Sequence, residues 1–310
     1  MKELISPIDK QILQQELTPD KFLRYTNNGN NELYVITYHD SPNVMKEIGR
    51  LRELTFRKAG GGTGKDMDID SFDYATEPYK QLISWDPAEK EVLGGYRYKI
   101  CNQDTKPEEL ATYKLFCFSD AFIEHFVPYM IELGCSFIQP AYQSSSSGRK
   151  TLYALDNLWD GLGALIVENP ACKYLFGKVT MYPHFDEKAR DLILYFLNKE
   201  FYDEQSLVAA RDPEPYHMPK EELKAMFTGD RFEANSKILS HEVRKQGENI
   251  PPLINAYMNL SRTMKVFGTS INESFGHVEE TGIMITVADI YPKKTQRHLE
   301  SYRKEKGENQ

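Results

Sequence analysis

RELTF at residues 52–56, GGGTG at 60–64, DMDIDSFD at 66–73 and EVLGGYR at 91–97 are the segments that decide the fold of this chain. The residues before the glycines have the apolar spacing of a helix. Those after the acidic run have the composition of a strand. The glycines and aspartates are therefore expected on a loop between a helix and a β-hairpin.

A buried arginine is predicted at the edge of this helix. Arg52 lies beside the apolar face, and Phe56 follows it one turn later. The apolar face itself is formed by Val44, Ile48, Leu51 and Thr55. A guanidinium removed from water needs a carboxylate, because an unpaired buried charge is very costly. We expect Asp70 and Asp73 to supply it, with Arg97 as a second cation directed at the same carboxylates.

These segments resemble a known pattern. R-x-x-x-F, then D-x-x-D, then G-x-Y-R is typical of the acyl-carrier-protein-dependent N-acyltransferases that start ornithine-lipid and glycine-lipid synthesis. The pattern is also similar to that of acyl-homoserine-lactone synthases, and both groups have the GNAT-type acyltransferase fold. PPLINAYMNL at residues 251–260 resembles the same group, so the similarity covers roughly residues 32–182 and 251–290. The resemblance implies an acyltransferase.

The next strand carries the remaining residues of that pattern and two departures from it. The related families have E-x-x-R here, whereas this chain keeps Glu132 and has Cys135 in place of the arginine. Gln143 replaces the arginine that follows P-x-Y. We therefore expect Arg97 and Arg52 to bind an anionic head group. Arg97 is also a candidate catalytic residue, and Phe56, Asp70 and Asp73 are expected to bind substrate together with Arg52. Glu132 is the candidate base, or the group that orients the attacking amine. The alternative is a structural ion pair with one of these arginines.

A second site is predicted where this strand leads into the next helix. The sequence PAYQSSSSGRK, residues 140–150, precedes a helix expected at 152–167. A glycine- and serine-rich turn at a helix N-terminus presents backbone N–H groups to an anion. In GNAT-type enzymes this position receives the phosphates of the pantetheine arm. The resemblance implies the same role here for Ser146, Ser147, Gly148, Arg149 and Lys150. The alternative is a flexible serine-rich linker.

Strands that alternate with helices, together with hairpins, predict an α/β (α+β) fold in which helices flank a mixed, twisted central sheet. The resemblance implies that this sheet is of the GNAT type. The first strand is expected at residues 33–38. We expect an N-terminal segment (1–31), a GNAT-like core (32–185), a helical insertion (186–250), a C-terminal helix and strands that complete the core (251–292), and a charged, disordered tail (293–310).

Composition limits the function classes. The 310 residues are 40% hydrophobic and 27% charged, with a net charge of −8, which argues against nucleic-acid binding. No segment has the apolar length of a membrane span, and the N-terminus lacks the apolar core of a signal peptide. We expect a cytoplasmic protein, with peripheral contact at the inner membrane face. The four cysteines and seven histidines show no metal-ligand spacing, so no metal is predicted.

Three functions fit the pattern. The first is transfer of a fatty acyl or 3-hydroxyacyl group from an acyl carrier protein thioester to the α-amine of glycine or ornithine, in aminolipid synthesis. The second is a related reaction, either acyl-homoserine-lactone synthesis or acyl-CoA-dependent transfer. The third is a non-catalytic, membrane-active protein of the kind labelled hemolysin, or an inactive GNAT relative. The first needs no bound cofactor, because the donor carries the thioester. The partners would be the acyl carrier protein and a small amino acid.

Overall fold

The computed structural model describes residues 1–143 and 149–307, with backbone alone for 149–152. The helices are α1 (Lys10–Glu16), α2 (Pro42–Lys58), α3 (Ser71–Tyr74), α4 (Asp120–His125), α5 (Arg149–Glu168), α6 (Glu187–Glu200), α7 (Lys220–Met226), α8 (Phe232–Lys245), α9 (Pro252–Met258), α10 (Pro292–Thr295) and α11 (Ser301–Glu305). The strands are β1 (Phe22–Tyr25), β2 (Glu32–Ile36), β3 (Lys80–Asp86), β4 (Glu91–Ile100), β5 (Phe116–Phe118), β6 (Met130–Ile138), β7 (Tyr174–Met181), β8 (Val208–Ala210), β9 (Lys265–Asn272) and β10 (Val278–Thr286).

The first of two compact units contains Met1–Cys101, Tyr129–Lys173 and Tyr291–Gln310. Its sheet has the order β1-β2-β3-β4-β6, and each neighbouring pair is antiparallel. Helix α2 packs against β6, and α5 packs against β3 and β4. The apolar face of α2 is buried with Val44 and Ile48 fully enclosed, so burial of this face, rather than helix propensity, holds α2 in place.

The second unit contains Asn102–Pro128 and Tyr174–Ile290. Strand β10 lies between β7 and β9, and β5 pairs with β8, all antiparallel. An aromatic cluster forms its core, with ring centroids 5.3 Å apart for Phe122 and Phe176 and 5.8 Å apart for Phe176 and Phe267. The ring centroid of Phe118 lies 5.1 Å from that of Phe122, so Phe118 packs within the same core.

The element pattern agrees with the sequence in most places. The helix predicted before the glycines, the β-hairpin predicted after the acidic run and the strand predicted around Glu132 are confirmed, as α2, β3–β4 and β6. The α/β class, with a twisted, mostly antiparallel sheet flanked by helices, is confirmed as well. The predicted division at residues 185 and 250 stays a prediction. Among the described residues, no helix is both long enough and apolar enough to span a bilayer.

The N-terminal prediction was wrong, because the first strand is not the one at residues 33–38. β1 precedes it and pairs with β2, and α1 precedes β1. Asp9 caps the N-terminus of α1, because its carboxylate accepts from the backbone N–H groups of residues 11 and 12. Leu13 of this helix and Leu17, directly after it, are buried. A four-residue strand is too short to show alternation in the sequence.

The tail is also ordered where disorder was expected. Residues 292–305 form α10, a π-helical turn over Gln296–Glu300 and α11. Leu299, Tyr302 and His298 are buried, and His298 Nδ1 lies 2.7 Å from Asp160 Oδ1 of α5. These three buried side chains hold the segment in place. They are too few among its many charged residues to make its composition differ from that of a disordered tail.

The glycine-rich loop after α2 is held by a buried carboxylate. Glu53 accepts hydrogen bonds from Thr63 N (2.9 Å), Gly64 N (2.7 Å) and Arg57 Nε (2.7 Å). Gly62 has φ +94°, and a Cβ there would come within 3.3 Å of Glu53 Oε1, so the loop requires glycine at this position. Burial acts to raise the pKa of Glu53, but these hydrogen bonds outweigh it and lower the pKa below its ordinary value.

We expect Glu53→Gln to destabilise the protein by about 1–3 kcal/mol at pH 7, because a charged acceptor for several donors is lost. A carboxylate whose pKa is lowered by folding stabilises above its unfolded pKa, about 4.3, and loses that contribution as pH falls through its folded value. The difference from wild type should therefore shrink between pH 5 and pH 3 in urea unfolding curves. Glu221→Gln, at an exposed glutamate, is the control and should change stability at neither pH. An equal loss of stability for Glu53→Gln at pH 7 and at pH 3 would contradict the assignment.

Candidate active site

The site begins with Arg52, which α2 points into the first unit. Its side chain is 1% exposed. Nε lies 3.0 Å from Asp68 Oδ2, Nη1 lies 3.3 Å from Asp73 Oδ1, and Nη2 lies 3.0 Å from Cys135 Sγ. Burial acts to lower the pKa of Arg52, but Asp68, Cys135 and Asp73 raise it above its ordinary value, so the guanidinium stays charged.

Arg97, on β4, is the second buried cation of the cluster. Its Nη1 lies 2.7 Å from Asp70 Oδ1 and 3.3 Å from Asp73 Oδ2. Nε is buried and has no hydrogen-bond partner among the residues that the structure describes. The guanidinium also lies over two rings, with its central carbon 5.5 Å from the centroid of Phe72 and 5.3 Å from that of Tyr79. Nη1 of Arg97 is thus engaged by carboxylates, whereas Nε is not.

Three carboxylates of the acidic loop, residues 66–73, differ in solvent exposure. Asp70 caps α3 by accepting from Phe72 N at 2.9 Å, and Asp73 accepts from Asp70 N at 3.0 Å, which completes a capping box. The side chain of Asp73 is fully buried and that of Asp68 is 5% exposed, whereas that of Asp70 is 36% exposed. Asp70 is therefore the carboxylate of the three that reaches solvent.

The predicted pairing within this cluster was partly wrong. Arg52 pairs with Asp68 and Asp73, while Asp70 pairs with Arg97. Asp68 is fixed beside α2 because its backbone N–H donates to Gly49 O at 2.9 Å. The run DMDIDSFD contains Asp68, but its spacing alone does not tell which aspartate faces the helix. Burial raises the pKa of Asp68, against the opposing effect of Arg52, whereas Arg97 helps to hold the pKa of Asp70 low against its own burial.

Glu132 lies on β6, opposite Lys99 of β4, and is 1% exposed. The hydroxyl of Tyr79 donates a hydrogen bond to Glu132 Oε2. Gln81 also belongs to the site, because its Nε2 donates to Asp73 Oδ1 at 3.0 Å. Sequence reasoning missed Tyr79 and Gln81, since a tyrosine and a glutamine at the start of a strand carry no motif. Glu132 and the two arginines were predicted, and the structure places Arg97 and Glu132 on the neighbouring strands β4 and β6 and Arg52 on α2, which packs against β6.

The strand β6 has a bulge beside the arginines. Arg97 is opposite Gly134 and Gly95 is opposite Phe137, so two residues of β6 face the single residue Tyr96. Cys135 in this bulge has φ +49°, a left-handed conformation that is unusual for a non-glycine residue. Burial raises the pKa of its thiol although both arginines oppose this, so the thiol is a poor nucleophile.

Phe56 and the predicted phosphate-binding loop are the remaining candidates for substrate and donor binding. Phe56 lies one turn beyond Arg52 and is buried; its predicted contact with substrate stays a prediction. Ser146, Ser147 and Gly148 lie outside the described residues. Arg149 and Lys150 form the first turn of α5, of which the backbone alone is described. No group of three or more His, Cys, Asp or Glu side chains within the described residues is arranged to hold a metal ion.

The chain is similar to proteins of known activity. Residues 51–152 match the family described as an acetyltransferase (GNAT) domain. A solved CoA-dependent acyl-homoserine lactone synthase, with SAM and isopentyl-CoA, is 11% identical, with a TM-score of 0.38 over 90% of this chain and 91% of that one.

Two curated relatives match almost the whole chain, and both are named glycine N(alpha)-acyltransferase. The protein from Phocaeicola vulgatus is 55% identical over 309 residues, which is 98% of this chain and 95% of the relative. The protein from Bacteroides thetaiotaomicron is 54% identical over 307 residues, which is 97% of this chain and 91% of the relative. This chain therefore belongs to the glycine N(alpha)-acyltransferase family and is an N-acyltransferase.

Proposed function

We propose that this enzyme transfers a fatty acyl or 3-hydroxyacyl group from a thioester to the α-amine of glycine, with an acyl carrier protein as donor, in the synthesis of an aminolipid. The curated relatives' printed name supports glycine as acceptor. The departures at Cys135 and Gln143 do not remove the cations of the site, since Arg52 and Arg97 remain buried and charged.

The observation that carries the acceptor assignment is the unpartnered Nε of Arg97. Both contacts of Arg97 with the aspartates are made by Nη1, and the buried Nε has no partner among the described side chains and backbone groups. A guanidinium edge binds a carboxylate through two parallel hydrogen bonds. Asp70, which pairs with Nη1 of the same guanidinium and is partly exposed, suits the ammonium. Together they fit the two charges of a small α-amino acid.

The chemistry requires a neutral amine and a group to take its proton. Glycine enters as a zwitterion, and Glu132 would accept a proton from the ammonium or from the nitrogen as it attacks. The nitrogen attacks the thioester carbonyl, a C–N bond forms, and the C–S bond breaks. The pantetheine sulfur leaves as a thiol with the second proton, so the products are an N-acylglycine and free thiol.

The donor is assigned by the resemblance rather than by geometry. The loop that includes Ser146–Lys150 would hold the pantetheine phosphates of an acyl carrier protein, and coenzyme A is the alternative donor. The basic run 50–58 offers little surface for docking of a carrier, because Arg52 is buried and Arg50 and Arg57 form ion pairs with Glu47 and Glu53. Docking would therefore depend on other cations. We place the reaction in the cytoplasm, at the inner membrane face, where the amphiphilic product partitions.

A lipid profile tests this proposal. Cells that express the chain or its Glu132→Ala variant are extracted and compared by mass spectrometry. N-acylglycine in the wild type alone supports the proposal and gives the acyl length, while N-acylornithine would replace the acceptor. Purified protein with acyl carrier protein or CoA thioesters of the same chain length decides the donor. If soluble wild-type protein forms no N-acyl amino acid with either donor, the proposal is wrong.

We expect Arg97→Lys to raise the KM for glycine about ten- to a hundredfold, because lysine keeps the charge but not the two-point edge, and a charge-assisted hydrogen bond contributes about 1.5–3 kcal/mol. Steady-state assays with glycine at fixed donor measure it. Arg190→Lys, at a buried arginine paired with Asp191 and Glu279 in the second unit, is the matched control and should leave this KM unchanged. A KM shift for the donor instead of glycine would contradict the assignment.

A further inference from the structure

Tyr79 is a buried side chain that the proposed chemistry does not use, yet it contacts both halves of the site. It lies directly before β3 and is 3% exposed. Its backbone N–H donates to Phe72 O at 2.8 Å, which ties it to α3 and hence to the loop that carries Asp70 and Asp73. Its position is therefore set by the same short helix that arranges the aspartates.

The two ends of Tyr79 have different partners. Its hydroxyl donates to Glu132 Oε2. Its ring lies edge-on to Phe72, with centroids 5.4 Å apart and planes at 68°, and the guanidinium carbon of Arg97 lies 5.3 Å from its centroid. One rigid side chain thus joins the carboxylate proposed as base to the cation proposed to bind the acceptor carboxylate.

We infer that Tyr79 is a positioning residue that sets the distance and orientation between Glu132 and Arg97, and so aligns the acceptor nitrogen with its base. This inference rests on the proposed function. A glutamate has three rotatable side-chain bonds, whereas a base must be held within about 0.5 Å of its productive position. The hydroxyl of Tyr79 holds the carboxylate, and the ring of Tyr79 supports Arg97. Hydroxyl and ring therefore have separable effects.

Two substitutions at this position separate the effects. Tyr79→Phe removes the hydroxyl and keeps the ring, so kcat should fall about ten- to a hundredfold while the KM for glycine stays within about twofold. Tyr79→Leu removes the ring as well, so the KM for glycine should also rise. Tyr98→Phe removes a hydroxyl from a buried tyrosine of β4 and serves as the control, with both constants unchanged. Unfolding curves for each variant correct for loss of folded enzyme.

A double-mutant cycle tests whether Tyr79 acts through Glu132. In a Glu132→Gln background, adding Tyr79→Phe should lower kcat no further, because the carboxylate it positions is gone. Additive losses would overturn the inference, and so would equal kcat in Tyr79→Phe and wild type. If Glu132→Gln itself keeps full activity, the proposed base is wrong and the inference falls with it. If Glu132→Gln loses activity and the cycle is additive, the proposed base stands and the inference alone is wrong.

Discussion

Replacing Glu132 by glutamine should lower kcat about a hundred- to ten-thousandfold, the usual contribution of a positioned general base. The substitution keeps the size of the side chain and an oxygen that can accept from the Tyr79 hydroxyl. It removes the ability to take a proton at neutral pH, and nothing else in the geometry needs to change. Turnover of acyl carrier protein thioester with saturating glycine measures the effect, and circular dichroism checks that the variant is folded.

A second buried glutamate provides the control for this result. Glu280, in the second unit, is fully buried and accepts from Lys178 and Thr180. Glu280→Gln should lower the free energy of unfolding while the folded fraction keeps its kcat. If Glu132→Gln instead loses stability and retains turnover, Glu132 is the structural ion-pair residue that the sequence left open as an alternative.

The cations of the site could be predicted because each lies in a segment with its own pattern. Arg52 follows from the helical spacing of α2, and Arg97 from the strand EVLGGYR that carries it. The partners could not be predicted in the same way. The choice of Asp68 over Asp70 for Arg52 depends on one backbone hydrogen bond to Gly49, and the contact between Tyr79 and Glu132 joins residues that are 53 positions apart.

The structure of the two ends of the chain also could not be predicted from local sequence. The helix α2 and the hairpin β3–β4 are long enough for the regular spacing of their apolar residues to be recognised in the sequence. β1 has four residues, and the C-terminal segment is fixed by Leu299, Tyr302 and the contact of His298 with Asp160. The local composition of this segment does not include the α5 residues that it contacts, and those contacts are what order it. Tertiary contacts therefore decided the elements that were missed.

The largest effect on stability is expected for Arg52→Met, a loss of about 3–5 kcal/mol at pH 7.5, because Asp68 and Asp73 would remain buried with one cation fewer. Burial already raises the pKa of Asp68, and loss of Arg52 should raise it further. A carboxyl whose pKa is raised by folding stabilises below its unfolded pKa, about 3.9, and that contribution is lost as pH rises through the folded value. Urea unfolding should therefore show a smaller loss at pH 5 than at pH 7.5.

Two further variants identify buried charge as the cause. Arg262→Met removes the arginine of an exposed pair with Glu233 in the second unit, and should cost less than about 1 kcal/mol. Adding Asp68→Asn to Arg52→Met should recover part of the stability, since an amide carries no charge to leave unpaired. Two results for Arg52→Met would contradict this explanation: a loss of stability below 1 kcal/mol, or a loss that grows as pH falls. Either would mean that the cluster is hydrated and that its charges do not depend on pairing with one another. In that case Arg97 would also lack the desolvated environment on which its proposed binding of a carboxylate depends.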